Sequence, residues 1–244
     1  MAALETLDFA PIERALVVTA HPDDVDFGFA GTVAQLTDAG IDVTYCIVTD
    51  GDAGGAETGM PRSEMAPKRR EEQTAAAAVV GVHDLRFLGY PDGRVEATLD
   101  LRRDISRVIR QVRPDRVLMQ SPDRNWDRIY ASHPDHLAVG EATVAAVYPD
   151  ARNRWAHPEL EAEGLEPWAV PEVWLGAGHP EVTHYVEITG TIDRKIEALL
   201  CHKSQLPDPE ATGEMVRGWT SMIAANAGLP EGRFAEAMQV IGTA

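Results

Sequence analysis

The chain has too little cysteine to build a disulfide scaffold. Its 244 residues include two, Cys46 in a strand-like apolar run and Cys201 in a helix-like one. They are far apart and form no C-x-x-C, which argues against disulfide frameworks and thiolate zinc sites alike. Any metal must therefore use histidine and carboxylate. Long apolar runs are missing too: "AAAAVVGV" falls well short of the ~20 residues a spanning helix needs. The start "MAALETLDFAPIERALVV" carries acidic residues and no basic segment ahead of a long apolar run, so no signal peptide is read. Positive charge is scarce, with 22 Lys and Arg against 39 Asp and Glu, a net charge of -17 and a pI near 4.8. Such a surface repels phosphate backbones and anionic lipid heads. The expectation is a soluble cytoplasmic protein with no nucleic-acid and no membrane partner. Internal repeats, low-complexity linkers and sharp charge shifts are also absent, which favours one domain over residues 1–244.

What is present is an alternation of apolar β-rich runs with helical patterns. "ALVVTA", "VTYCIVTD", "DLRFLG" and "DRVLMQS" read as strands. Between them "GTVAQLTDAG" ends at Gly40, "PKRREEQTAAAAVVG" starts at Pro67 and ends at Gly81, and "LDLRRDISRVIRQVR" is stopped by Pro114. Near-continuous apolar strands alternating with helices predict an α/β, Rossmann-like, mostly parallel sheet with helices on both faces. An irregular excursion runs over residues 149–171, followed by two more strands, "EVWLGA" and "THYVEIT". After about residue 191 the chain reads as helical, including "GRFAEAMQVIG" at its end.

Ligands of such sheets sit at the carboxyl ends of the strands. A dinucleotide would require G-x-G-x-x-G after the first strand, but "HPDDVDFG" stands there, and the later "DGDAGGAETG" lacks the spacing. NAD is not supported. One ordinary reading of "HPDD" is that Asp23 or Asp24 caps a helix beginning near Phe27. Capping needs one small polar side chain, however, and leaves a His with several carboxylates at one strand end unexplained. A second cluster, "YASHPDHLAVG", follows the "DRVLMQSP" strand. It repeats His-Pro-Asp and adds His136, and both clusters fall on the same edge of the predicted sheet. Together they offer two His and one Asp with coordination positions left open, the ligand count of a catalytic zinc. The same set suits ferrous iron. Spacing alone leaves open which His of "HPDH" binds metal. A carboxylate beside the metal is placed to take a proton from water, as in metal-assisted hydrolysis.

"AHPDD" after the first strand, with "HPDH" on a later strand-end loop, resembles the LmbE/PIG-L family of zinc-dependent N-deacetylases. "KRREEQTAAAAVVGV", "RFLGYPDG", "VRPDRVLMQSP" and "KIEALLCHKSQ" extend the resemblance over roughly residues 15–205. It implies His21, Asp24 and His136 as zinc ligands and Asp23 as general base. It also implies that His133, held by Asp135, stabilises the oxyanion, that either Asp23 or His133 protonates the departing amine, and that Arg69 lies near substrate. Some members carry a Tyr two residues before the first His of "HPDH". Ala131 stands at that position here, with Tyr130 one residue earlier.

The reaction implied is removal of an acyl group, most simply acetyl, from an amide nitrogen of a small amino-sugar or secondary-metabolite substrate. A mycothiol-conjugate-type amidase is the near alternative, and a homo-oligomer is compatible with the sequence. Two other classes compete. Asp24-Val25-Asp26 suits a magnesium-dependent aspartyl phosphotransferase, but that chemistry has no use for the histidines. A non-catalytic metal-dependent sugar-binding protein is the other. Trp126 and Tyr130 flank the second cluster as aromatics for packing or for stacking on a sugar. Asp50, Asp52, Asp92, His179 and His202 read as caps or solvated side chains. Specificity is expected in the loop over residues 51–67 and in the 149–171 excursion.

Overall fold

The computed structural model describes residues 3–5, 12–55, 59–129, 132–176 and 181–243. Tyr130, Ala131 and His179 lie outside them. Eight strands are present among the described residues: β1 (Ala3–Glu5), β2 (Arg14–Thr19), β3 (Asp42–Thr49), β4 (Asp84–Tyr90), β5 (Arg116–Gln120), β6 (Glu172–Gly176), β7 (His184–Glu187) and β8 (Ala235–Gly242). They form one sheet in the order β1-β7-β8-β6-β5-β2-β3-β4. From β6 through β5, β2 and β3 to β4 every neighbouring pair is parallel. The predicted α/β, mostly parallel sheet is therefore the observed one.

The parallel strands are apolar on both faces because each face is covered. Val17, Tyr45, Ile47 and Leu118 pack with Val33 and Leu36 of α2 (Ala30–Asp38), Ala76 and Ala77 of α3 (Arg62–Val79), Ile196 of α7 (Ile192–Leu199) and Val216 of α8 (Pro209–Asn226). Their neighbours Leu16, Val18, Cys46, Val117 and Met119 point the other way. These meet Leu101, Ile105 and Ile109 of α4 (Leu99–Val112) and Val139 and Ala142 of α5 (Pro134–Ala145). The period-2 alternation of a strand thus distributes one apolar run between two helix layers. No helix of the described residues is long and apolar enough to cross a membrane.

Local chemistry starts and stops the helices. Thr98 accepts the Leu101 N–H at the start of α4, and Asp208 accepts that of Ala211 at the start of α8. Pro134 and Pro209 stand in first turns, where a missing N–H costs nothing. Helix α4 ends on Arg113 in the left-handed region, one residue before Pro114.

Three expectations need correction. The chain does not close as a helix: residues 235–242 form β8, antiparallel to both β6 and β7. Ala, Glu and Met in that segment favour helix, but the slot between two strands offers both ladders of hydrogen bonds, and tertiary pairing overrides a weak propensity. Pro67 lies inside α3, which begins at Arg62. Pro67 there forgoes its own backbone bond while the chain on both sides stays helical. The 149–171 excursion includes a short helix, α6 (Pro158–Ala162), and packs at the amino ends of the strands. The Trp168 indole donates to Pro114 O just before β5, and the buried Arg110 guanidinium donates to the carbonyls of Asp150, Ala151, Asn153 and Leu165. That location is opposite the strand ends that carry the candidate site.

Chain order makes β2 and β5 the switch point. From β2 the chain proceeds outward to β3 and β4, and from β5 it proceeds the other way to β6. The loops leaving these two adjacent strands diverge and leave a crevice between them. Ala20 N–H donates to the Gln120 side chain at 2.9 Å, tying the two ends together.

Candidate active site

The two His-Pro-Asp segments meet at that crevice. His21 Nδ1 lies 3.2 Å from His136 Nε2 and 3.3 Å from Asp24 Oδ2, and His136 Nε2 lies 3.1 Å from Asp24 Oδ1. Helix α1 (Asp24–Gly28) supplies the aspartate and α5 supplies His136. Gly140 lets α5 come close, since a Cβ there would stand 2.7 Å from the backbone of Ser121 and Pro122 after β5. Four tetrahedral ligands about 2.0–2.1 Å from a zinc ion stand about 3.3 Å apart. The spacing of these donor atoms matches that, and their chemistry is right for zinc or ferrous iron. His133 contributes a further ring nitrogen, within 4.8 Å of those of His21 and His136.

Charges reinforce this geometry. Burial opposes the charged forms of His21 and His136, but Asp24 outweighs it, helped at His21 by Asp135 and Asp92. The His21 pKa is raised to about 12 and that of His136 is raised as well. Asp24 is held well below the usual carboxylate range, His136 and His21 overcoming its own burial. A cation entering the cluster takes the place of these protons.

His21 presents its other nitrogen to two acids. Nε2 lies 3.2 Å from Asp92 Oδ1 and 3.2 Å from Asp135 Oδ2. Asp135 is fixed by the N–H groups of Gly93 and Val95, and Asp92 by that of Ala53. Such a carboxylate–histidine pair sets the tautomer and ring orientation of a metal ligand. The cluster of His21, Asp92 and Asp135 is therefore the support of the first cluster, with Nδ1 left facing Asp24 and His136.

Asp23 stands beside the triangle. Its backbone is left-handed, φ 88°, which costs a non-glycine residue about 1–3 kcal/mol. Its N–H donates to Gln73 Oε1 at 2.7 Å, and its carboxylate accepts from Arg69 at 2.7 Å. Burial raises its pKa, only partly offset by Arg69, to about 6. Arg69 is 4% exposed and also donates to Pro22 O and Gly51 O. Gly51, with φ 63°, has no Cβ to collide with that guanidinium.

A family model described as "PIG-L: GlcNAc-PI de-N-acetylase" matches residues 16–147. The chain belongs to the PIG-L family. The diacetylchitobiose deacetylase of Thermococcus kodakarensis is 32% identical over 96% of this chain and 85% of its own. The probable N-acetyl-alpha-D-glucosaminyl L-malate deacetylase 2 of Bacillus anthracis is 32% identical over 79% and 81%. The crystal structure of N,N'-diacetylchitobiose deacetylase from Pyrococcus horikoshii, complexed with an inhibitor, superposes with a TM-score of 0.87 at 26% identity, covering 96% of this chain and 85% of that one. As a PIG-L chain this protein is a hydrolase, an N-deacetylase.

The PIG-L resemblance named seven site residues. His21, Asp24, His136 and Asp23 converge at the crevice, with Arg69 behind Asp23. The resemblance puts Arg69 beside substrate, whereas the structure engages its guanidinium with Asp23 and two carbonyls. His133 is the N-cap of α5, and its Nδ1 accepts the Asp135 backbone N–H at 3.2 Å. The expected hold of Asp135 on His133 runs through that N–H, because the Asp135 carboxylate is occupied by His21 and two backbone amides. Burial first, then His21 and His136, lower the His133 pKa. At neutral pH the ring is neutral, and with Nδ1 accepting, Nε2 carries the hydrogen.

Other residues are placed differently from the sequence reading. Neither Asp23 nor Asp24 caps a helix with its side chain: α1 begins at Asp24 with no side-chain cap bond, and Asp24 Oδ2 accepts the His21 N–H instead. Asp92 and His202, read as caps or solvated groups, are buried. Asp26 is fully buried between Gln73 and His202, so Asp24 and Asp26 do not face one crevice as an aspartyl phosphotransferase requires. Asp50 and Asp52 pair with Arg70 and Arg62. Trp126 is 79% exposed and does not pack its loop against the sheet. The signal that could have found Asp92 was its position two residues after β4, at the same carboxyl edge.

Proposed function

We propose that this chain removes an acetyl group from the amide nitrogen of an N-acetylglucosamine-type sugar, using zinc held by His21, Asp24 and His136. The observation that carries the reading is the triangle of donor atoms, 3.1–3.3 Å on its edges, beside a half-buried carboxylate whose pKa is raised to about 6. The names of the relatives support the substrate class, since diacetylchitobiose and N-acetylglucosaminyl malate both carry an N-acetylated glucosamine. When bound, the metal supplies Lewis-acid polarisation of the amide carbonyl and makes a water more acidic.

The protein supplies the rest. Asp23, ionised at neutral pH, accepts a proton from the attacking water as its oxygen bonds to the carbonyl carbon. Neutral His133 donates from Nε2 to the oxygen that becomes negative, a fixed dipole at the start of α5 that needs no proton transfer to act. The Asp23 carboxyl then returns the proton to the nitrogen as the C–N bond breaks, leaving free amine and acetate. Arg69 keeps Asp23 ionised and aimed, Asp135 and Asp92 hold His21, and the partner is a small molecule.

The test is free-amine release from a panel of N-acetylglucosaminides, using chelated protein, zinc-reconstituted protein and protein reconstituted with ferrous iron without oxygen. Zinc-dependent release that falls by about a hundredfold to ten-thousandfold in Asp23→Asn, with metal content kept, is the expected outcome. Full activity in that variant, or activity indifferent to chelation, would overturn the reading.

A further inference from the structure

A chain of buried polar side chains leads away from Asp23, and the reaction as derived does not use it. Gln73 of α3 accepts the Asp23 N–H with Oε1 at 2.7 Å and donates from Nε2 to Asp26 Oδ2 at 2.9 Å. The same Asp26 oxygen lies 2.8 Å from Nε2 of His202, just beyond α7. All three side chains are 0% exposed. We propose that Gln73, Asp26 and His202 are positioning residues that fix the backbone, and through it the carboxylate, of Asp23. The proposal rests on the reading of Asp23 as general base.

The argument turns on what an amide can present. A glutamine has one acceptor end and one donor end, and rotation by half a turn exchanges them. Only the acceptor end satisfies the Asp23 N–H, so the amide must be prevented from turning. The Asp26 carboxylate does this, because only the donor end can face it. His202 holds Asp26 in place from the far side. Without this lock the left-handed Asp23 loses a contact that holds its backbone, and such a conformation persists only where its surroundings over-determine it. Arg69 grips the carboxylate itself, so the residue is held at two points.

A purely structural role explains the chain less well. Asp26 Oδ1 and His202 Nδ1 are buried and have no hydrogen-bond partner. Leaving polar atoms unsatisfied costs stability, and an apolar trio filling the same space would avoid that cost. Orientation of a reacting group is a use for which such a trio would not serve.

The experiment compares Gln73→Met, Asp26→Asn, His202→Leu and His202→Gln, each zinc-reconstituted, with kcat, KM, metal content and melting temperature measured. Displacing a reacting group by about 1 Å can cost up to a hundredfold in rate. Gln73→Met and His202→Leu are therefore expected to lower kcat by about tenfold or more, with KM within about twofold and metal content unchanged. His202→Gln, which keeps a donor where Nε2 lies, should recover most of the loss. If the apolar variants fail to fold, Asp26→Asn carries the test: it keeps the shape but no longer repels the acceptor end of the amide, and kcat should still fall. The deciding readout is a double-mutant cycle with Asp23→Asn. Adding Gln73→Met or Asp26→Asn to that background should change the residual rate little. An equal fold-loss in both backgrounds, or a loss of metal that accounts for the rate, would overturn the proposal. Full activity of Asp23→Asn alone would instead overturn the base assignment on which it rests.

Discussion

The tripeptide His-Pro-Asp occurs twice at the crevice, as 21–23 and as 133–135, and the two copies do different things. In the first, the helix begins only after the tripeptide, at Asp24. His21 is free to turn Nδ1 toward Asp24 and His136, and Asp23 stands left-handed outside the helix with its carboxylate against Arg69. In the second, the helix begins inside the tripeptide, at Pro134. His133 becomes the N-cap, its Nδ1 taken by a backbone amide, while Asp135 falls in the first turn and is buried against His21. A shift of two residues in where the helix starts separates the proposed ligand and base of the first copy from the proposed donor and support of the second. The motif supplies the side chains, and the helix register assigns their roles.

The hardest way to break this comparison is to remove the residue that belongs to one copy alone. The first tripeptide is followed by Asp24, where the second is followed by His136, and each is a proposed ligand of the metal. Asp24→Ala leaves two imidazoles with no carboxylate between them. It is expected to lose metal, read by elemental analysis after dialysis, and activity with it to below detection. Full metal occupancy in that variant would mean the ligand set has been assigned wrongly.

The second copy should answer differently. His133→Ala removes the Nε2–H and leaves the triangle of donor atoms intact. Loss of one such donor costs on the order of a hundredfold to a thousandfold in kcat, so metal content should stay at the wild-type level while kcat falls by about that amount. A variant that lost metal would place His133 among the ligands, and the two copies would then differ less than described.

Much of this was legible in the sequence because the decisive residues are close to strand ends. His21, Asp23 and Asp24 follow β2 within five residues, and His133 and His136 stand at the end of the segment that follows β5 and on the helix it leads into. Strand periodicity places both groups on one edge without any knowledge of side-chain contacts. The supports were less legible, since each comes from elsewhere in the chain. Asp92 follows β4, Gln73 lies mid-helix among alanines, and His202 sits 176 residues beyond Asp26 in sequence. Strand-end position was a signal for Asp92 alone, and nothing in local patterning separates Gln73 and His202 from ordinary polar residues. The exchange of roles between Asp135 and His133 was hidden for a related reason: which acceptor a ring nitrogen meets depends on helix register to within a residue, and boundaries are what periodicity fixes least well. β8 was missed because its composition favours helix and its partners are 54 and 70 residues away, at Met238 with His184 and Glu172 with Gly242.

The smallest effect concerns Arg69 and is visible only in the pH dependence. Burial raises the Asp23 pKa and the Arg69 guanidinium lowers it, leaving a value of about 6. A general base works in its ionised form, so kcat/KM should rise with pH and level off above that region. A bound cation adds to the pull of Arg69, which puts the wild-type limb at about 6 or lower. Arg69→Met keeps most of the side-chain volume and removes the charge, so the upward push of burial is no longer opposed. Its limb should move to higher pH. The variant then loses most relative to wild type near pH 5, where its Asp23 is protonated, and least near pH 8, where both are ionised. The loss of hydrogen bonds to Pro22 and Gly51 acts at every pH alike and shows as a uniform drop in kcat/KM. A limb that stays in place while the whole profile falls would mean that Arg69 only holds the loop. A limb that stays in place with a rise in KM alone would return Arg69 to the substrate side of Asp23, where the family resemblance had put it.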